Sequence, residues 1–292
     1  MTVVNVALVT RRASLCVPAG DDRKLHKALE SGVDEVVVDL EDAVAVDDKE
    51  RAREQLGAFS WPEDRPRVVV RVNAIGSPWC HRDLEAVAGI DAISAVVLPK
   101  VESRADVEFV ERLLDGLEVE LGRREPLAVQ ALVETAAGVL RLGDVVAGPK
   151  RLEALVVGYA DLGASLGRSR ALDQVAWRGI QDAFVLHARA AGVAAIDGPF
   201  LGVADDEPFR TAVADAAALG FDAKWVIHPR QAAAVTEAFT PSPEQVDHAR
   251  RVLQTLDEAA AAGRGAAVVD GALVDEAMAK DARHVLARAG AR

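Results

Sequence analysis

Short apolar runs recur along the chain, and nearly every one of them ends in a charged residue or a histidine. The residues at these ends are Asp39, Glu41 and Asp42 of VVVDLED, Arg71 of VVVRVN, Lys100 and Glu102 of AVVLPKVE, Glu134 of LAVQALVE, Asp161 of ALVVGYAD, Asp197 of AAIDG and His228 of KWVIHP. A charge at the carboxyl end of a buried parallel strand is costly unless a site uses it. Charges at many strand ends, with helices between the strands, are typical of an α/β protein of the (β/α)8 TIM barrel type, whose active site lies on the carboxyl face of the sheet.

Eight segments have the composition of short buried strands, being rich in Val, Ile or Leu and bounded by Gly, Pro, Asn or Asp. They are Ser14–Val17, Asp34–Leu40, Arg67–Asn73, Ser94–Pro99, Leu127–Glu134, Ala154–Tyr159, Ala194–Asp197 and Ala223–His228. Segments with apolar residues at helical spacing lie between them, and this alternation favours a parallel sheet. Eight units favour closure into a barrel, and the lack of a GxGxxG sequence after the first strand weighs against a dinucleotide-binding fold.

The chain continues beyond the eighth unit. Pro243–Ala262 has the pattern of a long amphipathic helix, Gly263–Gly271 is a connector rich in Gly and Ala, and Val274–Ala289 has the pattern of a final helix. We therefore predict a barrel over residues 1–239 and a C-terminal helical extension over residues 240–292. A barrel closes without this extension, so we interpret it as a lid, an oligomerisation arm, or both.

The composition excludes some partners. The formal net charge of the 292 residues is -12, which argues against a nucleic-acid partner because neutralising phosphates needs a basic surface. No apolar stretch has the length of a membrane span and the N-terminus lacks the pattern of a signal peptide, so we expect no membrane partner and a cytoplasmic location. The two cysteines stand outside any CxxC or metal-ligand pattern, as expected for a reducing compartment.

Glu134 and Asp161 end consecutive predicted strands, so they are expected at neighbouring positions of one barrel rim. Two carboxylates close together raise each other's pKa, and a hard divalent cation relieves that repulsion. Mg²⁺ takes one or two protein carboxylates and completes its octahedron with water and substrate oxygens. The alternative is that Asp161 caps the helix that follows it.

Arg71 lies in a strand that is otherwise apolar. It is predicted either to pair with an acid of the neighbouring DLED segment or to bind an anionic ligand, for which its planar fork is suited. Within DLED, Glu41 is a candidate to support Arg71, to order metal-bound water, or to act as a base. Asp42 is equally suited to start the next helix.

Several basic residues give weaker signals. Lys100 follows a proline at a strand end, and His228 precedes a proline at another strand end. Each is open to a structural or a functional interpretation. Arg12, Arg23, Lys24 and Lys27 cluster around the first strand and helix. They form either a solvated face or a patch for a polyphosphate, and on the second interpretation Arg12 and Lys24 contact the substrate.

Seven segments, in this order along the chain, resemble the citrate lyase β-subunit-like proteins of the HpcH/HpaI aldolase superfamily, which includes malyl-CoA and citramalyl-CoA lyases. They are SLCVPAGDDRKLHKAL, VVVDLEDAVAVDDKERAR, VVVRVNAIGSPW, VVLPKVES, ALVETAAGVL, GYADLGASLG and GFDAKWVIHPRQAAAVTEAFTPSPEQV. The resemblance runs from about Arg12 to the final helix. DLEDAV, VRVN, LPKVE, VET and IHP are specific in combination.

The resemblance implies a TIM barrel that uses Mg²⁺ to cleave or form a C–C bond in a 3-hydroxyacyl-CoA thioester, giving an acyl-CoA and a 2-oxo acid. It places Glu134 and Asp161 on the metal ligands and Arg71 on the residue that binds the oxo-acid carboxylate. Asp275 of GALVDEA falls on a lid aspartate that, in relatives, reaches the active site of a neighbouring subunit and acts in catalysis. Such proteins form homotrimers or hexamers.

Two positions depart from the family pattern. Ala160 stands where relatives often have a Glu before the second metal ligand, which bears on metal affinity or substrate choice, and VPAG replaces the usual PG after the first strand. Three alternatives remain open: an acyl-CoA thioesterase of the malyl-CoA type, an aldolase acting on a free oxo acid, and a citrate lyase β-subunit that works on an acyl carrier protein.

Overall fold

The computed structural model describes residues 11–169 and 174–290. These residues divide into two compact units, with the boundary between Thr236 and Glu237. In the first unit, eight parallel strands form a closed barrel in chain order, with the eighth strand paired to the first. The predicted (β/α)8 barrel is therefore confirmed. The strands are β1 (Ala13–Pro18), β2 (Glu35–Asp39), β3 (Arg67–Arg71), β4 (Ala95–Leu98), β5 (Ala128–Val133), β6 (Leu152–Val157), β7 (Ala194–Asp197) and β8 (Ala223–Val226).

The barrel interior is filled by small and branched aliphatic side chains. Apolar residues at alternate positions of β2 to β8 form one cluster, which contains Val37, Val69, Ala95, Val97, Ala128, Leu132, Ala154, Val156, Ala194, Ile196, Ala223 and Trp225. The residues between them are also buried because helices cover the outer face. This double burial explains why the strands are continuous apolar runs and why polar side chains collect where the runs stop.

Helices and three short 3₁₀ turns connect the strands. The helices are α1 (Asp22–Leu29), α2 (Lys49–Ala58), α3 (Cys80–Ala88), α4 (Arg104–Leu121), α5 (Ala136–Leu140), α6 (Leu142–Val145), α7 (Tyr159–Ser165), α8 (Arg178–Ala191), α9 (Glu207–Leu219) and α10 (Ala232–Ala238). The 3₁₀ turns are Val46–Asp48, Gln174–Trp177 and Pro229–Gln231. In the described part of the chain, no helix combines the length and the apolar character that crossing a membrane requires.

A buried polar network closes the amino end of the barrel. Arg67 donates two hydrogen bonds to Glu153, and Gln130 donates to both Glu35 and Glu153. Ser14 Oγ donates to Glu35 Oε1 over 3.0 Å. Buried charges that are paired and hydrogen-bonded in this way hold the strand register without offering a ligand site.

Arg12 lies at this amino end and not at the carboxyl rim. It precedes β1, and its guanidinium donates from Nε and Nη2 to both carboxylate oxygens of Asp34, at 2.9 and 2.6 Å, while Asp34 itself precedes β2. A TIM-barrel site is built at the other end of the strands. The sequence-based assignment of Arg12 to the substrate is therefore corrected, because its fork is engaged by Asp34 at the opposite face.

The second unit contains α11 (Pro243–Ala261), a two-stranded antiparallel hairpin of β9 (Ala267–Val269) and β10 (Ala272–Val274), and α12 (Glu276–Ala289). Its own small core comprises Ala249, Val252, Val269, Val274 and Ala282. The interpretation of Gly263–Gly271 as a plain connector is wrong. Its second half forms β9 and the turn, where Asp270 and Gly271 take positive φ angles of 51° and 83°, as tight hairpin turns require.

Candidate active site

Glu134 and Asp161 lie at the carboxyl ends of the neighbouring strands β5 and β6. The register pairs Val133 with Val157, so Glu134 and Gly158 are the next residues along the two strands. Gly158 then leads into α7, which carries Asp161 in its first turn. The structure therefore brings the two predicted metal ligands to one edge of the sheet, as the strand ends predict.

Gly158 allows Glu134 to lie flat over the end of β6. A Cβ atom built on Gly158 would lie 2.4 Å from Glu134 Oε2 and 2.5 Å from Glu134 Cβ. Both distances are well inside van der Waals contact. The Glu134 side chain therefore occupies the space that any larger residue at 158 would need, and the glycine of GYAD is a steric requirement of the site.

Arg71 is held by an acid of the adjacent strand. The β2–β3 register places Arg71 directly beside Asp39. Its Nε and Nη2 donate to the two oxygens of Asp39 at 2.7 and 2.5 Å, and Nη1 lies 3.0 Å from Glu41 Oε2. The pairing with DLED acids, one of the two interpretations of Arg71, is thus observed. Asp39 occupies Nε and Nη2, Nη1 is paired with Glu41, and Arg71 also lines the cavity described below.

Lys100 contacts all three carboxylates of the rim. Its backbone N–H donates to Glu134 Oε1 over 3.1 Å. Its Nζ donates to Glu41 Oε1 over 2.5 Å and lies 3.3 Å from Asp161 Oδ2. Lys100 has a φ of 55°, a left-handed conformation that costs a non-glycine residue about 1 kcal/mol or more and that clusters at functional sites. From its position after a proline at a strand end, Lys100 is only a weak candidate.

The electrostatics at the rim favour cations. Burial raises the pKa of Glu134 to about 8, with the negative charges of Glu41 and Asp161 adding to the effect. Burial also raises the pKa of Glu41, although Arg71 and Lys100 oppose the shift. Carboxyl groups whose negative form is disfavoured in this way are sites where a divalent cation displaces protons.

A cavity of about 160 Å³ opens beside Arg71, Glu134 and Asp161. Arg71, Glu134 and Asp161 line its polar side, and Leu132, Val157, Trp225 and Ile227 line its apolar side. Ala160 is also part of the wall. A small molecule fits this cavity if it has a carboxylate for the polar side and no more than a short apolar group for the apolar side.

The donor set fits Mg²⁺. In residues 11–169 and 174–290, no three His, Cys, Asp or Glu side chains are grouped so as to hold a metal ion by themselves. Glu134 and Asp161 would therefore supply two oxygen ligands and leave the rest to water and substrate, which is the usual way Mg²⁺ binds next to a substrate. The Cys16 thiol also lines the cavity, but burial raises its pKa to about 12, so it stays a neutral thiol and a poor metal ligand. The oxygen donors Glu134 and Asp161 therefore favour a hard cation.

The structure gives Lys24, His228 and Asp275 local partners of their own. Lys24 is on the exposed side of α1 and pairs with Asp21 at 3.2 Å. His228 Nδ1 accepts from the backbone N–H of Arg230, which favours its structural interpretation. In the second unit, the exposed Asp275 is the N-cap of α12 and accepts from the backbone N–H groups of Ala277 and Met278 at 2.9 and 3.4 Å.

Comparisons with known proteins point to one family. Residues 12–229 match the family model described as HpcH/HpaI aldolase/citrate lyase. The chain is 35% identical to an L-malyl-CoA/beta-methylmalyl-CoA lyase of Cereibacter sphaeroides, over 95% of this chain and 94% of the relative. It is 37% identical to a (3S)-malyl-CoA thioesterase of the same species, over 96% of this chain and 95% of the relative. Among solved structures, the protein CitE of Mycobacterium tuberculosis in complex with magnesium, acetoacetate and coenzyme A has a TM-score of 0.77 and 35% identity, over 96% of this chain and 98% of that one.

Proposed function

The chain belongs to the HpcH/HpaI aldolase/citrate lyase family, and from that premise we propose that it is a Mg²⁺-dependent carbon–carbon lyase. Its substrate is a 3-hydroxyacyl-CoA thioester of the malyl-CoA type, cleaved to an acyl-CoA and a small 2-oxo acid or formed from them. The observation that carries the proposal is the convergence of Glu134, Asp161, Glu41, Arg71 and Lys100 on one cavity rim. The malyl-CoA lyase relative and the magnesium complex of CitE support it.

Glu134 and Asp161 are the proposed metal ligands. When bound there, Mg²⁺ acts as a Lewis acid for the oxygens of the oxo-acid half of the substrate. The protein keeps Glu134 in place through the Lys100 backbone N–H and through its contact with Gly158. Glu41 lies between Arg71 and Lys100 and holds both cations at the edge of the cavity.

Arg71 is the proposed binding residue for the oxo-acid carboxylate. Asp39 engages Nε and Nη2 and so fixes the plane of the guanidinium, while Nη1 is directed towards Glu41 and the cavity. A carboxylate that bonds to the Nη1 edge is oriented before reaction without reorganisation of the arginine. Orientation of this kind lowers the entropic part of the barrier.

Cleavage requires two proton transfers. A base, for which Glu41 is the proposed candidate, takes the proton of the 3-hydroxyl; the O–H electron pair forms the oxo group, and the electron pair of the breaking C2–C3 bond passes to the thioester enolate. The enolate carbon then takes a proton, for which Asp275 is the proposed donor; in the condensing direction Asp275 removes that proton. We also propose that this aspartate is delivered by a lid of the neighbouring subunit in a homotrimer or hexamer.

The test is a panel of 3-hydroxyacyl-CoA thioesters incubated with Mg²⁺, with identification of any oxo acid as its hydrazone. A single thioester that yields an oxo acid and an acyl-CoA, with no turnover in chelator, supports the proposal and names the substrate. No oxo acid from any thioester, with an enzyme shown to bind Mg²⁺, would reject the lyase.

One second candidate has specific support, namely the 37% identity to a malyl-CoA thioesterase. That enzyme class breaks the thioester C–S bond and leaves the hydroxy acid intact, so free thiol is released in place of an oxo acid. A citrate lyase β-subunit is a further alternative, and activity on a free CoA thioester without an acyl carrier protein would exclude it.

A further inference from the structure

A buried network of four side chains stands behind the segment that carries Asp161. Tyr159 Oη donates to Asp197 Oδ1 and accepts from Gln181 Nε2 over 2.7 Å. Lys224 Nζ donates to the other oxygen of Asp197 over 2.5 Å and to the carbonyl of Gly198 over 2.7 Å. Asp197 and Lys224 are each 2% exposed. The network links β7, β8, α8 and the start of α7.

The network is expensive to bury. A buried ion pair seldom adds net stability, because taking both charges out of water costs about as much as their attraction returns. Lys224 lies in a strand whose other residues are apolar. Its Nζ donates to Asp197 and to the backbone carbonyl of Gly198. Asp197 in turn uses its free oxygen to fix one hydroxyl, that of Tyr159. Such an arrangement specifies a position and adds little stability.

The position that it specifies is that of residues 158–161. Tyr159 follows Gly158, on which Glu134 packs, and it precedes Asp161 by two residues. The Tyr159 ring packs edge-on against Trp177 at 5.1 Å. On the other side, a Cβ on Gly198 would lie 2.2 Å from the Val157 carbonyl and 2.8 Å from the Tyr159 ring. Residues 158–161 are therefore held by contacts on both sides of the Tyr159 ring. Among the described residues, Asp161 itself has one ion pair, with Lys100.

We propose that Tyr159, Asp197, Lys224 and Gln181 form a positioning network that fixes the Asp161 carboxylate relative to the Glu134 carboxylate, and so sets the affinity and selectivity for Mg²⁺. The inference rests on the proposed function, since it takes these two carboxylates as the metal ligands. Mg²⁺ demands nearly ideal octahedral geometry at about 2.0–2.1 Å, whereas Ca²⁺ accepts longer and more variable distances. Loss of the network therefore weakens Mg²⁺ binding more than Ca²⁺ binding.

The matched pair of variants is Tyr159→Phe and Ser14→Ala. Each removes one hydroxyl that donates to a buried, ion-paired carboxylate, Asp197 in one case and Glu35 at the opposite end of the barrel in the other. Both variants are expected to lower the melting temperature by a similar few degrees, about 2–4 °C. Only Tyr159→Phe is expected to change metal binding. Gln181→Met, which removes the other partner of the hydroxyl, provides a second variant with the same expected direction.

The experiment measures Mg²⁺ and Ca²⁺ affinities of the full-length protein by calorimetry, together with kcat and KM at saturating Mg²⁺. For Tyr159→Phe we expect Mg²⁺ affinity to fall about 5- to 20-fold, with Ca²⁺ affinity changing less than half as much on a logarithmic scale. An unchanged Mg²⁺/Ca²⁺ ratio, or the same change in Ser14→Ala, would overturn the positioning network. A wild-type protein that binds no Mg²⁺ would instead overturn the proposed function, so the two failures are distinct.

Discussion

Gly158→Ala should damage the metal site while leaving the barrel folded. The backbone at Gly158 has a φ of -105° and a ψ of 85°, so the conformation does not exclude an alanine. The obstacle is space, because the new Cβ would lie 2.4 Å from Glu134 Oε2 and 2.5 Å from Glu134 Cβ. Carbon atoms pack at about 3.5–4.0 Å, so the Glu134 side chain must withdraw by about 1 Å. Rotation of the Glu134 side chain moves Oε2 but not Cβ, so the backbone at Glu134 must shift as well.

The expected magnitude follows from that displacement. A misplacement of about 1 Å in a reacting or binding group costs on the order of 10²-fold in rate. Overpacking itself costs about 1–3 kcal/mol of folding stability, which for a chain of this size lowers the melting temperature by several degrees. The variant should therefore retain its fold, lose Mg²⁺ affinity, and show kcat/KM reduced by about two orders of magnitude.

The assay compares Gly158→Ala with Gly163→Ala, five residues further along in α7. A Cβ at Gly163 would meet Trp177 at 3.8 Å, an ordinary contact, so this alanine should be neutral or stabilise the helix by up to about 1 kcal/mol. Mg²⁺ affinity by calorimetry, kcat/KM and melting temperature are measured for both. Wild-type Mg²⁺ affinity and rate in Gly158→Ala would refute the idea that this glycine makes room for a metal ligand.

Four further outcomes are expected. Glu134→Gln or Asp161→Asn should abolish turnover, and a chelator should silence the wild type; full activity in chelator contradicts the metal site. Because the pKa of Glu134 is raised from 4.5 to about 8, the proton on Glu134 stabilises the metal-free protein fully below about pH 4.5, and this contribution is lost progressively as the pH rises to about 8. Mg²⁺ binding near pH 7 should therefore release close to one proton and near pH 10 almost none, as calorimetry in buffers of different ionisation enthalpy would show. Arg71→Lys should raise the KM for the oxo acid roughly tenfold or more and leave that for the acyl-CoA unchanged, since one charged hydrogen bond is worth about 1.5–3 kcal/mol; it should also lower the melting temperature, because Asp39 loses its bidentate partner. Asp275→Asn keeps an N-cap of equal quality, so an unchanged melting temperature with a rate reduced about 10²- to 10⁴-fold identifies Asp275 as a base. Partial recovery of activity on mixing this variant with Arg71→Ala places the base on a neighbouring subunit.

The barrel was predictable because its strands are buried on both faces. A strand such as Val36–Val38 is an uninterrupted apolar run, and the run ends where the polar rim begins. The positions of the strand ends in the sequence also predict that Glu134 and Asp161 lie close together, since consecutive parallel strands end at one edge of the sheet. The hairpin at Ala267–Val274 was missed because its strands have three residues each and its glycines are also typical of a linker.

Contacts that depend on register were beyond the sequence. The sequence predicts a DLED acid as one possible partner of Arg71, but only the register of β2 and β3 shows that Asp39 takes the bidentate contact. Lys100 contacts three carboxylates from a left-handed backbone conformation that is uncommon for lysine, which the sequence does not reveal. Arg12 was misplaced for a simpler reason: it precedes the first strand, so it lies at the amino end of the barrel although it is close in sequence to rim residues.

The most direct measurement follows both products of one 3-hydroxyacyl-CoA thioester, counting oxo acid and free thiol released per thioester consumed in Mg²⁺. We predict one oxo acid and no free thiol per turnover, with both counts at zero for Glu134→Gln. One free thiol and no oxo acid would show that the enzyme cleaves the C–S bond and would contradict a carbon–carbon lyase.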